Sequence, residues 1–321
     1  MSGPPRVKVL YFAGSGRSGT TIINNIVGQL GGAFAAGEIR FLWERGIVED
    51  RLCGCGLPFS QCPTWQAVMT KAFPDGSAPD ANAVAGRLIS RLRLRRLPTM
   101  LARKVVGRRA AAAHPDDEAL QRTYDALAEC TDASVILDSS KLPGYGLLLA
   151  DLPGIDLYVL HIMRDPRAVT FSWRRTKLTH DGVGDEDAMQ RLAVWKVPLV
   201  WLAENVATAM IWARRRDRYI RVPYEKFVAN PQGTMAAVAE LVGLDPADLP
   251  FETPMSVRLA PTHSVAGNPN RHDTGTITLR HDTEWVSAMP AKDKAVVTAL
   301  AAPGLLAFGY ALGASGHRRT P

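Results

Sequence analysis

The chain has 321 residues, 46% of them hydrophobic and 21% charged, and a formal net charge of +7. Such a chain can bury a full core, as one large domain or a core plus a cap. No segment reaches transmembrane length, four cysteines are too few for a disulfide scaffold, and the moderate positive charge fits anionic ligands or an anionic surface without any nucleic-acid motif.

Met1 to Pro5 places no basic region ahead of an apolar run, so no signal peptide is expected and a cytoplasmic location is. Val7 to Ala13 has the length and apolar content of a strand, and Gly14, Gly16 and Gly19 follow as a turn that lets the backbone approach an anion. The amphipathic Ile22-Ile23-Asn24-Asn25-Ile26-Val27 continues as a helix whose N-terminus faces the ligand. Backbone N–H groups and the hydroxyls of Ser18, Thr20 and Thr21 can bond phosphate oxygens, and Arg17 adds a planar fork of charged donors. In the turn of nucleotide triphosphatases a lysine directly follows the last glycine. Thr20 stands there instead, which argues against an ordinary ATPase or kinase.

Ala33 to Gly37 reads as a short buried strand that delivers Glu38 to its carboxyl end, the edge at which open α/β sheets bind ligands. A helix is expected over Ile39 to Val48. Cys53, Cys55 and Cys62 offer three thiolates to a zinc, one fewer than a structural site wants and not at its usual spacing. A compact reduced loop, or one with a local disulfide under oxidation, reads the same residues without metal. Another helix is expected around Trp65 to Lys71.

From Gly86 to Arg109 nine cationic residues interleave with leucines, and Pro98 should break this basic amphipathic segment in two. It reads as a cap touching an anionic acceptor or a membrane surface, or as a solvated helix whose arginines snorkel over the core. With Asp116-Asp117-Glu118 opening a helix that ends near Cys130, it makes a basic helical insertion over residues 75–130.

The α/β rhythm returns with a strand over Ser134 to Asp138, which puts Ser139-Ser140-Lys141 at its end, and a helix from Tyr145 to Asp151. Leu157 to Met163 is nearly continuous in apolar residues, as a parallel strand covered on both faces should be. It is expected at the centre of the sheet, with His161 as a core histidine. Arg164-Asp165-Pro166-Arg167 follows, Pro166 suiting the first turn of a helix, and Ser172 lies two turns on. A long helix over Glu186 to Arg216, a strand from Arg218 to Val222, a helix from Thr234 to Val242 and a last helix from Ala291 to Leu300 complete the pattern. Thr262 to Arg271, rich in turn chemistry and poor in apolar pattern, is read as a mobile loop.

Three residue sets resemble the signatures of sulfotransferases that use 3′-phosphoadenosine 5′-phosphosulfate: Arg17-Ser18-Gly19-Thr20-Thr21, Arg164-Asp165-Pro166-Arg167 with Ser172, and Tyr224-Glu225-Lys226-Phe227. The layout is most similar to tyrosylprotein sulfotransferases and bacterial small-molecule sulfotransferases, over residues 7–285. The resemblance implies a single domain over 1–321 with a P-loop-like three-layer α/β fold, a central, mainly parallel sheet and the helical insertion. It implies that Gly16, Arg17, Ser18, Gly19, Thr20 and Thr21 hold the 5′-phosphosulfate and that Arg164 and Ser172 hold the 3′-phosphate. It makes Glu38 the base and sets Lys141 on the sulfonate side. Tyr224 is a candidate for the adenine or for the core, and Arg271 for closing over the nucleotide. His263 is a weaker base candidate and His180 a surface residue.

The reaction so implied is sulfuryl transfer to a hydroxyl of a small-molecule, carbohydrate or lipid-linked acceptor. Arg17 and Lys141 would stabilise the leaving phosphate, and no metal is required. A nucleotide-dependent kinase with an altered turn and a non-catalytic nucleotide-binding module are the alternatives. Acceptor identity and oligomeric state have no signature in the sequence.

Overall fold

Along β1 (Val7–Ala13), Val9, Tyr11 and Ala13 pack into one hydrophobic cluster while Leu10 and Phe12 pack into another. Successive side chains of this strand therefore serve opposite faces of a buried sheet. The fold is that of a computed structural model, described over residues 6–74, 76–105, 114–175, 178–179, 187–188 and 192–313. β1 is joined in parallel by β2 (Ala33–Gly37), β3 (Val135–Lys141), β4 (Ile155–Met163) and β5 (Tyr219–Pro223), in the order β2-β3-β1-β4-β5. The middle strand is β1. The apolar β4, expected at the centre, lies one place off it, and its continuous apolar run reflects cover on both faces rather than central position.

Twelve helices are described: α1 (Thr20–Val27), α2 (Pro63–Ala72), α3 (Ala81–Arg91), α4 (Leu97–Val105), α5 (Pro115–Thr131) and α6 (Pro143–Asp151) are followed by α7 (Pro166–Arg174), α8 (Lys196–Trp212), α9 (Tyr224–Ala229), α10 (Pro231–Val242), α11 (Glu284–Ala288) and α12 (Ala291–Phe308). Ile23 and Ile26 of α1 and Met235 and Val238 of α10 cover one face of the sheet. Trp65 of α2, Leu120 and Tyr124 of α5 and Tyr145 of α6 cover the other. The result is a three-layer α/β fold. Proline stands in the first turn of α2, α5, α6, α7 and α10, where its missing N–H costs no helical hydrogen bond. No described helix is long and apolar enough to cross a membrane.

Four segments depart from expectation. Ile39–Phe41 is a 3₁₀ turn that leads into a π-helix over Leu42–Val48, in place of one α-helix. The basic segment breaks at Leu92 to Arg96, because Pro98 sits harmlessly in the first turn of α4. Its Arg87 and Arg91 pair at 2.7 Å with Asp116 and Asp117, so these two arginines fasten α3 to α5. Arg108, Arg109, His180 and Glu186 lie outside the described residues; the long helix expected from Glu186 is α8, which starts at Lys196. Finally, the segment read as a mobile loop is packed: Ser264, Val265, Ala266 and Arg271 are buried. It links strands of a small antiparallel sheet, β6 (Phe251–Thr253), β7 (Ser256–Leu259) and β8 (Gly275–Thr278).

His161 is the core histidine that the β4 pattern calls for, with Nδ1 2.7 Å from the Tyr219 hydroxyl and Nε2 2.8 Å from Asn205 Oδ1. Burial holds its imidazole down at about 4 from an ordinary 6.5. The unfolded chain thus takes up a proton near neutrality that the folded chain refuses. The stability involved is full above pH 6.5 and lost as pH falls towards 4, by about 3 kcal/mol. His161→Gln should flatten denaturant-derived stability over that window relative to the native chain; an unchanged slope would mean that the imidazole is charged in the fold.

Candidate active site

The carboxyl ends of β1 to β4 open onto one cavity of about 480 Å³, a volume typical of small-molecule sites. The turn after β1 contributes Gly16, Arg17, Gly19, Thr20 and Thr21 to its wall. Gly19 has φ of 86°, and a Cβ there would stand 2.7 Å from the Tyr224 ring, so both conformation and space demand glycine. Arg17 and Lys141 also have left-handed backbones, with φ of 66° and 68°. Seven cationic and four acidic side chains line the cavity, which makes it electropositive.

Adjacent parallel strands β2 and β3 deliver a carboxylate and an ammonium to the same point. Lys141 Nζ donates to Glu38 Oε1 at 2.6 Å, and Arg40 Nη2 donates to Oε2 at 3.3 Å. Burial pushes the Glu38 carboxyl up, but Lys141 and Arg40 more than offset it and hold it at about 2. Below this pair runs a buried relay: Asp138 accepts from the Ser140 N–H at 2.9 Å, from the Ser140 hydroxyl and from Tyr124. Ser140 Oγ in turn accepts the Arg40 N–H at 3.1 Å. The relay fixes the backbone on either side of the Glu38–Lys141 pair.

At the other end of the cavity, Arg164 Nη2 contacts Asp282 Oδ2 at 3.1 Å, and its guanidinium lies 4.6 Å from the centre of the Tyr224 ring. Asp165 does not take Arg164. It caps α7 and grips the fully buried Arg167 through two bonds of 2.9 and 2.7 Å. Glu225 accepts the Asp165 N–H at 3.0 Å and the Tyr310 hydroxyl at 3.0 Å, tying α9 to the end of β4. Ser172 and Trp173 of α7 reach the cavity, and the Arg17 guanidinium lies 5.0 Å from the Trp173 ring centre.

A glycine turn, a strand-end arginine with its helix serine, and an ion-paired glutamate thus line one electropositive cavity. The sulfotransferase family model matches residues 10–248. The chain belongs to the sulfotransferase family. No curated protein matches it in sequence. The sulfotransferase domain from the olefin synthase of Synechococcus PCC 7002 has a similar fold, with a TM-score of 0.52, 17% identity and 98% of each chain covered. The sulfotransferase domain from the curacin biosynthetic pathway aligns at 14% identity over 94% of this chain and 98% of its own, with a TM-score of 0.49.

Within this family member, Gly16, Arg17, Gly19, Thr20, Thr21, Glu38, Lys141, Arg164, Ser172 and Tyr224 all line the one cavity. Ser18 is buried beneath the turn, its hydroxyl 3.3 Å from that of Ser15. Arg271 is buried elsewhere and donates to the Leu52 carbonyl at 2.6 Å, so it anchors two loops rather than closing over the cavity. His263 faces the cysteine loop, with Nδ1 3.3 Å from Cys62 Sγ, and not the Glu38 pair.

Arg40, Arg45, Asp282 and above all Glu204 also line the cavity, and no motif singles out the last three. Glu204 is the only acidic residue of the mostly apolar α8, and that is its signal. Burial pushes its carboxyl up to about 8 against the pull of Arg40 and Lys141. It is therefore neutral at pH 7 and becomes an anion as pH rises past 8, beside cations that an anionic ligand needs. Affinity for an anionic probe such as pyrophosphate should fall above pH 8 in the native protein and stay level in Glu204→Gln. Parallel titration curves for the two proteins would remove Glu204 from this role.

Proposed function

We propose that the protein transfers the sulfuryl group of 3′-phosphoadenosine 5′-phosphosulfate to a hydroxyl of a small-molecule, carbohydrate or lipid-linked acceptor. The observation that carries this reading is the Glu38–Lys141 pair, held at 2.6 Å in the same cavity as Arg17, Arg164 and Ser172. The turn with Arg17, Thr20 and Thr21 suits the 5′-phosphosulfate, and Arg164 with Ser172 suits the 3′-phosphate. An arriving phosphate competes with Asp282 for Arg164, and Tyr224 offers a ring beside it for the adenine. The donor set is cationic and hydroxylic throughout, as two phosphates and a sulfonate demand.

In the transfer, the acceptor oxygen bonds to sulfur as the bond from sulfur to the 5′-phosphate oxygen breaks. The acceptor proton passes to Glu38, and the leaving nucleotide keeps the electron pair. With its pKa at about 2, Glu38 is ionised but weakly basic while Lys141 holds it. Donor oxygens that draw Lys141 away remove the strongest partner of Glu38 and raise its basicity at the moment a base is needed. Lys141 and Arg17 then meet the negative charge growing on the leaving phosphate. A kinase reading is disfavoured by Thr20 at the lysine position of the turn.

Arg40, Phe41 and Leu142 line both the main cavity and a smaller groove of about 120 Å³ beside Ile89, Leu92 and Arg93 of the basic segment. This supports entry of the acceptor past the end of α3, where Leu92 and Arg93 stand side by side. Sulfur-labelled donor and a metabolite extract should yield labelled products, whereas transfer only from labelled ATP would overturn the assignment. Glu38→Gln should lower kcat by roughly 10²- to 10⁴-fold with donor affinity little changed, and Arg17→Ala by about 10²- to 10³-fold. Neutralising Arg93, Arg95 and Arg96 together should raise the acceptor KM and leave donor binding intact; an unchanged KM would move the acceptor route elsewhere.

A further inference from the structure

Outside the cavity, a second constellation assembles. Cys53, Cys55, Cys62 and His263 bring one ligand atom each to within 4.8 Å of one another. His263 Nδ1 lies 3.3 Å from Cys62 Sγ and 4.0 Å from Cys53 Sγ. In a tetrahedron with Zn–S of about 2.3 Å and Zn–N of about 2.0 Å, ligand atoms stand about 3.5 to 3.8 Å apart. The two measured separations straddle that range. We propose that Cys53, Cys55, Cys62 and His263 form a structural zinc site that joins the cysteine loop to the segment after β7.

The three cysteines alone looked one ligand short. The fourth ligand comes from 201 positions beyond Cys62 and is invisible to any local spacing rule. Its surroundings are built to hold it. The His263 ring stacks on Phe34 at an interplanar angle of 6°, and its carbonyl accepts the Trp65 indole N–H at 2.7 Å. Gly54 donates to the Ser264 carbonyl at 2.9 Å, and a Cβ on it would stand 2.6 Å from Ser264 Oγ, so the two loops meet without room for a side chain. All four cysteines of the chain are free thiols, and Cys53 and Cys62 are buried. Three sulfurs and one imidazole select zinc among common ions, because oxygen-seeking cations find no partner and iron–sulfur clusters favour four sulfurs.

Closing this site has a mechanical effect. Val265 donates to the Ala36 carbonyl at 2.9 Å, and Glu38 donates to the Ala266 carbonyl at 3.2 Å. A metal fixed to His263 therefore braces the segment that carries the end of β2 and hence Glu38. It takes no part in the transfer.

The test is metal content, independent of any sulfuryl transfer. Full-length protein purified without chelator from zinc-containing medium should carry one zinc per chain by plasma mass spectrometry. Cys62→Ser and His263→Ala should fall below about a tenth of that, while His263→Cys, which keeps four ligands, should retain it. Native protein stripped of metal and given cobalt(II) should show the intense visible bands of a tetrahedral site with sulfur-to-cobalt charge transfer, a readout that needs no variant to fold. The proposal falls if the native chain holds little zinc and gives no such bands, if iron occupies the site, if zinc survives both ligand removals, or if mass spectrometry after thiol alkylation finds Cys53 or Cys62 in a disulfide.

Discussion

An ion pair of opposite strand-end charges governs this site. Glu38 closes β2 and Lys141 closes β3, and since these strands are hydrogen-bonded neighbours their termini cannot separate. Either charge alone, buried here, would cost several kcal/mol in desolvation. Together, with Arg40 on the second carboxylate oxygen, they stay ionised at the cavity wall. Much of the surrounding architecture serves that arrangement: the Asp138–Ser140 relay beneath it, the π-helix that carries Arg45 to the cavity wall, and the packed segment at Ala266 that bonds the Glu38 backbone.

The same logic repeats at the end of β4 with a different outcome. Of the two arginines in Arg164-Asp165-Pro166-Arg167, one is consumed by structure and one reaches the cavity wall. Arg167 is wholly buried, bonded to Asp165 and to backbone carbonyls at Ala311 and Gly313, and thereby locks the start of α7 to the region after α12. Arg164 leans on Asp282 and Tyr224 at the cavity wall. Two identical side chains three residues apart differ in role because a helix start turns one inward and leaves the other on the strand end.

How much of this was readable in advance follows from where the information sits. The strands, the glycine turn and the strand-end residues Glu38, Lys141 and Arg164 are written locally, in apolar runs that stop and in the residues just after them. The order β2-β3-β1-β4-β5 is not, and so the most apolar strand was assigned the middle place that β1 holds. Glu204 and Asp282 enter the cavity from α8 and from beyond β8, elements whose docking no local pattern specifies. The segment around Val265 carries turn residues and few apolar ones, yet it is packed because its backbone pairs with Ala36, Glu38 and Gly54, and backbone pairing leaves no mark on composition.

The left-handed backbone at Arg17 and Lys141 bears on how this protein can change. Each such residue, lacking glycine's freedom, holds strain on the order of 1–3 kcal/mol. Glycine would relax the backbone at both positions, but at Lys141 it would also leave Glu38 a buried charge without its main partner, so only at Arg17 does it relieve strain without breaking that pair. Selection for thermal robustness and selection for turnover therefore pull against each other at Arg17, whereas at Lys141 both favour the cation. Gains in melting temperature that spare the chemistry have to come from elsewhere in the chain.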